Sequence, residues 1–392
     1  MLVTILDDSV IRHIASWGTG TVATSMYLDV DGLQHPRWPD VEQRADRLFR
    51  SARRQARERA QLAASGTETE VAAELTEIRT WLQRDLDRST TRGIALFSRA
   101  DRGLFETVEL RVPVRDQVVV DPEPDVAQLC VAAATSWSAL AVAVDRERWR
   151  VVRLEPDGRA RELDVLEDKM ARTVDIDMEL AGFGRHEEEL AREHFRRVAR
   201  GLTAEMVRDP ARYLVVLGTQ ESVAELEGYL PRFVADRIAG HEALPGYAGV
   251  SELAAAARLV VERAEQERRA AVLITLRQRA AATGTSVVTG LTRTLEAVGA
   301  EQVATLVVER TFEAPGGRCD NCRLLVAEPG KCPRCGAPVR GTDNVVDAAI
   351  AEVFLHHGAL EPVEDGALSG FGRIGALVHP WAAKMTGGGD RA

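Results

Sequence analysis

The chain has 392 residues, enough for two or three domains, with 45% hydrophobic residues, 28% charged residues and a net charge of −10. This is the composition of a folded chain rather than a disordered one. No run of about 18 apolar residues is present to span a bilayer, and the opening MLVTILDDSVIRHIASWG lacks the basic start and small-residue cleavage site of a secretory signal.

In chain order, a helix is expected from Ser9 to Trp17 and a strand from Ala23 to Val30. A long helix after Pro39 carries an apolar stripe of Leu48, Ala52, Ala56, Ala60 and Ala63, and a second, from Val71 to Leu86, carries Trp81. Gly93–Ser98 and Thr107–Val112 read as paired strands around the turn Asp101-Arg102-Gly103. Asp121-Pro122-Glu123-Pro124-Asp125 reads as a linker, because two prolines deny both helix and ladder hydrogen bonds. Hairpin strands follow at Ser138–Asp145 and Trp149–Leu154, then a helix from Glu187 to Leu202 and a strand from Tyr213 to Gly218. A charged helix is expected from Glu252 to Thr283, another around Gly290–Val298, and a buried-type strand over Gln302–Glu309. The last elements are a helix over Asn344–His357, a strand over Ala359–Val363 and the glycine-rich Gly370–Val378. Strands alternating with helices give an α/β fold class.

Four of the five cysteines form Cys319-x2-Cys322-x9-Cys332-x2-Cys335. Two Cys-x-x-Cys turns at this spacing can close a tetrahedral thiolate cage around structural Zn²⁺ with no open position for chemistry. A redox pair or disulfides are the competing use of the same residues. Gly336 follows the last cysteine, where a tight turn favours a residue without a Cβ. The fifth cysteine, Cys130, has no partner outside the cage, a pattern that suits a reducing cytoplasm.

An acidic total does not exclude nucleic acid, since binding depends on local patches. Arg37 to Arg59 holds eight arginines against four acids, and Arg185, Arg192, Arg196, Arg197 and Arg200 cluster further on. Either set is a candidate for phosphate contact, and either is equally read as a solvated helix face. No metalloprotease-type histidine pair stands out, and His356-His357 falls at a helix end. The tryptophans read as core or interface anchors.

The third segment carries, in order, VTGLTRTLEAVG, VATLVVER, the cysteine insert, DNVVDAAIAEVFLHHGA, LEPVED and GFGRIGALV. This order resembles the C-terminal domain of the archaeal and eukaryotic release factor and Pelota family, with Gly372-Arg373-Ile374-Gly375-Ala376-Leu377 matching its Gly-Gly-Ile-Ala-Ala-Ile-like last strand and Arg373 replacing the second glycine. Upstream, GIALFSR, ETVELRVPVRDQVVVDPEPDVAQLC and SALAVAVDRERWRVVRLEPDGRARELDVL are similar to the end of the family's first domain and the opening of its middle domain. The resemblance implies a three-domain architecture: a decoding-centre-facing domain over 1–125, a middle domain over 126–248, and a C-terminal α/β domain over 249–392 with a zinc-ribbon-like insert at 317–340.

Release factors place a Gly-Gly-Gln loop before the long middle-domain helix, and this sequence contains no Gly-Gly-Gln. The matching position is Ala181-Gly182-Phe183-Gly184-Arg185-His186, loop 181–186, which keeps two glycines and lacks the glutamine. The resemblance makes Gly182, Phe183, Gly184, Arg185 and His186 contacts for ribosomal RNA near the peptidyl-transferase centre, with no catalytic residue assigned. His186 is also a general-base candidate in principle. Gly218-Thr219-Gln220 follows a strand, where chain reversal alone explains the glycine. The stop-codon-reading Asn-Ile-Lys-Ser motif is absent too, and in its place stands an arginine-rich helix offering Arg44, Arg47, Arg50, Arg53, Arg54 and Arg57 to rRNA phosphates. The expected function is a non-catalytic translation factor in the A site of the 70S ribosome, engaged in hibernation like the family's Balon-type bacterial branch and partnered by elongation factor Tu or another translational GTPase. The alternative is a peptidyl-tRNA hydrolase, or a ribosome rescue factor of the Pelota kind.

Overall fold

The computed structural model describes residue 6 and residues 8–18, 22–60, 67–88, 91–156, 159–163, 183–282 and 286–381. They fall into two compact units, one made of residues 1–135 and 271–392 and the other of residues 136–270. The mixed α/β class expected from the sequence is the one observed.

The first segment runs α1 (Asp8–Ala15), β1 (Ala23–Asp29), α2 (Trp38–Ala60), α3 (Thr67–Arg84), β2 (Gly93–Arg99), β3 (Leu104–Leu110), β4 (Gln117–Asp121) and α4 (Ala127–Thr135). Its sheet has the order β3-β2-β1-β4, and β1 is antiparallel to both of its neighbours. Both faces are buried, and the two-residue strand period divides them. Met26, Leu28, Ile94 and Leu96 face the layer of α2 and α3, whereas Tyr27, Ala95 and Phe97 join a second core with Leu129 of α4.

The second unit opens with β5 (Ala139–Val144), β6 (Trp149–Leu154), β7 (Ala160–Leu163), α5 (Phe183–Arg208), β8 (Tyr213–Gly218), α6 (Gln220–Glu227), α7 (Arg232–Ala235) and β9 (Ile238–Glu242). The sheet order is β7-β6-β5-β8-β9, with β5, β8 and β9 parallel. Central strand β5 alternates Leu140, Val142 and Val144 toward α5 with Ala139, Ala141 and Ala143 on the opposite face. That alanine face takes Leu253, Ala257 and Val261 of α8 (Val250–Ala281), and the division between the units falls inside this helix.

The last segment contains β10 (Val287–Thr289), α9 (Leu291–Gly299), β11 (Val303–Glu309), β12 (Gly316–Cys319), β13 (Leu325–Val326), β14 (Val339–Thr342), α10 (Val345–Leu355), β15 (Ala359–Val363) and β16 (Ile374–Val378). Its main sheet is β10-β16-β11-β15, and the cysteine insert carries its own three-stranded sheet, β13-β12-β14. Leu306, Val346, Ile350 and Ile374 share one apolar core with Tyr27, Phe97 and Leu129, so the first and last segments bury a common interior within their unit.

Several elements differ from expectation. The buried stripe of α2 is Val41, Ala45, Phe49, Ala52 and Ala56, and Leu48 is only partly buried. The Asp121–Asp125 stretch ends strand β4 and leads into α4, whose start is capped by Asp125 Oδ1 accepting from the Ala127 N–H at 3.0 Å. Only Ile374–Val378 of the glycine-rich tail segment is strand. Gly370, Gly372 and Arg373 have positive φ and form the turn before it.

Candidate metal centre and arginine faces

The cysteine insert folds as two matching knuckles. In the first, the Arg323 N–H donates to the Cys319 carbonyl at 2.8 Å and the Cys319 N–H donates to the Leu324 carbonyl at 2.9 Å. In the second, the Gly336 N–H donates to the Cys332 carbonyl at 2.9 Å and the Cys332 N–H donates to the Ala337 carbonyl at 2.7 Å. Each knuckle closes on a left-handed residue, Gly336 at φ 73° and Arg323 at φ 61°. Glycine meets that demand without strain, whereas an arginine pays about 1 kcal/mol or more for the same conformation.

The knuckles bring Cys319, Cys322, Cys332 and Cys335 together, with all four sulfurs within 4.8 Å of one another. Sγ of Cys319 lies 3.5 Å from Sγ of Cys335, and Sγ of Cys322 lies 3.4 Å from Sγ of Cys332. A tetrahedral thiolate site with metal–sulfur bonds of about 2.3 Å has sulfur–sulfur edges of about 3.8 Å, so the set fits a metal ion. All five cysteines are free, including the buried Cys130. The Asn321 side chain and the Ala337 N–H hold the Cys335 thiol down to about 6. Burial works upward on Cys332, but the N–H groups of Cys335 and Arg334 outweigh it and lower its pKa. At Cys322 the Leu324 N–H works downward, yet burial and the three neighbouring sulfurs carry the thiol up to about 12. Four sulfurs gathered this closely form a donor set that could hold a metal ion.

An arginine seam absent from the sequence reading surrounds this centre. Glu123, just past β4, accepts from Arg318 at 2.5 Å and from Arg323 at 2.5 and 3.0 Å. Both arginines also reach Glu352 of α10, at 2.5 and 3.3 Å. Arg340 of β14 meets Asp121 at 3.0 Å, and Asp121 in turn holds Arg59 of α2 at 2.5 Å. Burial raises the Glu123 pKa, but the hydrogen bond from Arg323 and the charges of Arg318, Arg323 and Arg340 more than offset it, leaving a carboxylate below its usual range. The sequence signal was the mismatch between the half-motifs CDNCR and CPRCG.

The arginines expected to meet RNA divide into engaged and open. Arg44 makes two 2.6 Å hydrogen bonds to the Asp116 carboxylate and lies 3.9 Å from Asp29, with 14% of its side chain exposed. Arg47, Arg50, Arg53, Arg54 and Arg57 are exposed. At about 100° per residue they fit within an arc of about 120° on α2. Among the described residues, the only carboxylate paired with any of the five is Glu68, 3.6 Å from Arg57. In α5 the pattern differs: Arg192 pairs with Glu188 at 3.6 Å, Arg196 and Arg200 share Glu193 at 3.7 and 2.7 Å, and Arg196 also lies over the Tyr229 ring.

Ala181 and Gly182 lie outside the described residues, and Phe183, Gly184, Arg185 and His186 form the first turn of α5, where a loop was expected. Helix formers Glu187–Leu190 follow directly, and acids near a helix start favour its dipole, which offsets the roughly 1 kcal/mol that Gly184 costs. Gly218-Thr219-Gln220 is a turn into α6. A Cβ on Gly218 would stand 2.5 Å from the Val144 carbonyl oxygen, and Thr219 Oγ1 caps the helix by accepting from the Ser222 N–H at 3.2 Å. Arg373 keeps its left-handed φ of 64° while its Nε donates to Glu309 Oε2 at 2.7 Å. Among the described residues, no helix is long and apolar enough to cross a membrane.

Residues 124–269 match the family model of bacterial archaeo-eukaryotic release factor family 10. No curated protein matches the chain. Solved structures give distant likenesses. The archaeal translation termination factor aRF1 is 15% identical, covers 96% of this chain and 99% of its own, and has a TM-score of 0.25. Archaeal Pelota, described as ribosome-bound with ABCE1, is 15% identical over 96% of this chain and 95% of its own, at a TM-score of 0.37. Dom34 of S. cerevisiae, described as interacting with Hbs1, is 9% identical over 75% of this chain and 82% of its own, at a TM-score of 0.39. The likeness rests on the family model and not on these superpositions: the resemblance to the archaeal and eukaryotic release factors and their bacterial branch, carried by the ordered segments of the sequence, is borne out over residues 124–269.

Proposed function

We propose that the protein is a ribosome-binding translation factor that occupies the A site of the 70S ribosome without cutting an ester bond, in the manner of Balon-type hibernation factors. The observation that carries this reading is the family match over residues 124–269 in a sequence that holds no Gly-Gly-Gln. Hydrolysis in this family needs backbone freedom and a glutamine to place water. Here the corresponding residues from Phe183 onward are helical.

In this reading residues 1–125, 126–248 and 249–392 act as three domains. The open arginines Arg47, Arg50, Arg53, Arg54 and Arg57 hold rRNA phosphates by charge, which positions the protein without reading a base. Gly182 to His186 contact rRNA at the peptidyl-transferase end. The four cysteines hold a structural Zn²⁺, whose tetrahedral thiolate preference suits the donor set. Dom34 is described with Hbs1 and archaeal Pelota with ABCE1, which supports an accessory partner for this chain, elongation factor Tu or another translational GTPase. Ribosome binding carries with it a cytoplasmic location.

The test is co-sedimentation with 70S ribosomes, vacant or bearing peptidyl-tRNA, combined with a peptide-release assay. Binding to vacant ribosomes without release is expected. Release that disappears in His186→Ala would replace this reading with a hydrolase, preference for stalled complexes would replace it with rescue, and no co-sedimentation would end it.

A further inference from the structure

Two arginines that flank the first cysteine pair bridge two acidic anchors belonging to different parts of the chain. Arg318 directly precedes the first cysteine and Arg323 directly follows the second. Both reach Glu123, which is 195 and 200 residues earlier, and Glu352 of α10. Arg340 extends the contact to Asp121. The acids are mostly sheltered, with 15% of the Glu123 side chain and 16% of the Glu352 side chain exposed.

The two knuckles give an internal control. Their backbones make equivalent hydrogen bonds and need the same left-handed residue after the second cysteine. The second knuckle uses Gly336, the residue the backbone favours. The first uses Arg323, which the backbone disfavours. Closing the metal centre therefore does not explain an arginine at 323, but its reach to Glu123 and Glu352 does. The guanidinium arrives there with the knuckle at a φ of 61°, and that knuckle carries two of the four clustered sulfurs.

We infer that the first knuckle is a metal-dependent latch. With Zn²⁺ bound by Cys319, Cys322, Cys332 and Cys335, Arg318 and Arg323 are presented as a pair that fastens the Asp121–Asp125 stretch of the first segment to α10 of the last. Without the metal, Arg323 leaves the left-handed region, the pair disperses, and Glu123 is released from α10, while the shared apolar core and the bonds of Asp121 to Arg59 and of Asp125 to Ala127 remain. The metal thus sets the hold between the first and last segments, beyond stabilising the insert.

Hydrogen exchange on the full-length protein, with peptides covering residues 117–130, tests the latch against peptides covering residues 93–99 of β2, which belong to the same unit and its shared core. Chelating zinc from the wild type is expected to speed exchange at 117–130 by at least tenfold and to leave 93–99 unchanged. Equal acceleration of both sets would assign the metal to overall folding and overturn the latch, as would no change at 117–130. Arg323→Gly separates the two roles, because glycine suits the knuckle and removes the latch. This variant is expected to bind one zinc at least as tightly as the wild type, measured by competition with a chromophoric chelator, while its 117–130 region exchanges fast even when loaded. Slow exchange in zinc-loaded Arg323→Gly, or a tenfold loss of its zinc affinity, would overturn the proposal. Glu123→Gln is expected to reproduce the exchange phenotype with zinc affinity unchanged.

Discussion

Helices α2 and α5 look alike in sequence, each crowded with arginine, and the structure gives them opposite electrostatic characters. On α5, Arg192 and Arg196 stand one turn from Glu188 and Glu193, Arg200 reaches Glu193 from two turns away, and all three are neutralised along their own helix. On α2 two of the four acids are spent elsewhere: Asp40 pairs with Arg37, and Asp46 pairs with Arg79 of α3. That leaves Arg47, Arg50, Arg53 and Arg54 exposed with no carboxylate paired to them among the described residues. Arginine count along a helix is therefore a poor measure of phosphate affinity. What counts is whether acids at three- and four-residue spacing are left to pair on their own helix: Asp46, four residues before Arg50, is taken by Arg79 of α3.

The largest effect expected from this contrast is on ribosome binding. Replacing Arg47, Arg50, Arg53 and Arg54 together by alanine should flatten the plot of log affinity against log salt by about 3, at roughly 0.7–0.9 per lost phosphate contact. Replacing Arg192, Arg196 and Arg200 should change that slope by less than about 1. Filter binding or co-sedimentation from 50 to 300 mM salt reads both. Equal slopes for the two variants would remove the contrast, and with it the role given to α2.

A second difference lies inside α2. Arg44 belongs to the same arginine run, yet it is bound to Asp116 and approaches Asp29 on β1. Truncating it leaves two sheltered carboxylates without their cation. Arg44→Ala should cost about 1–3 kcal/mol of stability, and Arg50→Ala should stay within about 0.5 kcal/mol. Urea unfolding followed by circular dichroism compares them. A neutral Arg44→Ala would return Arg44 to the phosphate-binding set.

The sequence showed what local chemistry dictates. The apolar runs of β5, β6 and β8 are bounded by charges and turns, so their ends are fixed within a residue, and the cysteine spacing announced its cage. The buried stripe of α2 was misplaced around Phe49 because a row of alanines four residues apart leaves the facing direction ambiguous by one position. Strand β4 has no local signature beyond three valines before the proline-bearing Asp121–Asp125 stretch, and its pairing partner β1 lies about 90 residues earlier. The Arg318 and Arg323 seam was hidden for the same reason: its partner Glu123 lies about 200 residues away, and neither arginine belongs to a periodic pattern. Gly184 argued for a loop, and only the continuity of α5 overrules it.

The smallest expected effect sharpens the account of α5 from its inner side. Away from its salt-bridged arginines, the helix places His194 against Trp149, with ring centroids 4.8 Å apart. Burial lowers the imidazole pKa, with Arg197 acting in the same direction, while hydrogen bonds to the Asp145 and Arg148 carbonyls and the Asp145 charge act against it. A folded-state pKa below the unfolded value means that the unfolded chain takes up the proton first as pH falls. The stability this residue contributes is therefore complete above about pH 6.5 and declines from there toward the lower folded pKa. His194→Gln should remove that decline, so that the difference between wild-type and variant unfolding midpoints shrinks as pH drops below about 6.5. Urea titrations from pH 5 to pH 8 measure it. A difference that is flat in pH would mean that His194 titrates as it does in the unfolded chain, and that the inner face of α5 is open to water where the ring packing says it is closed.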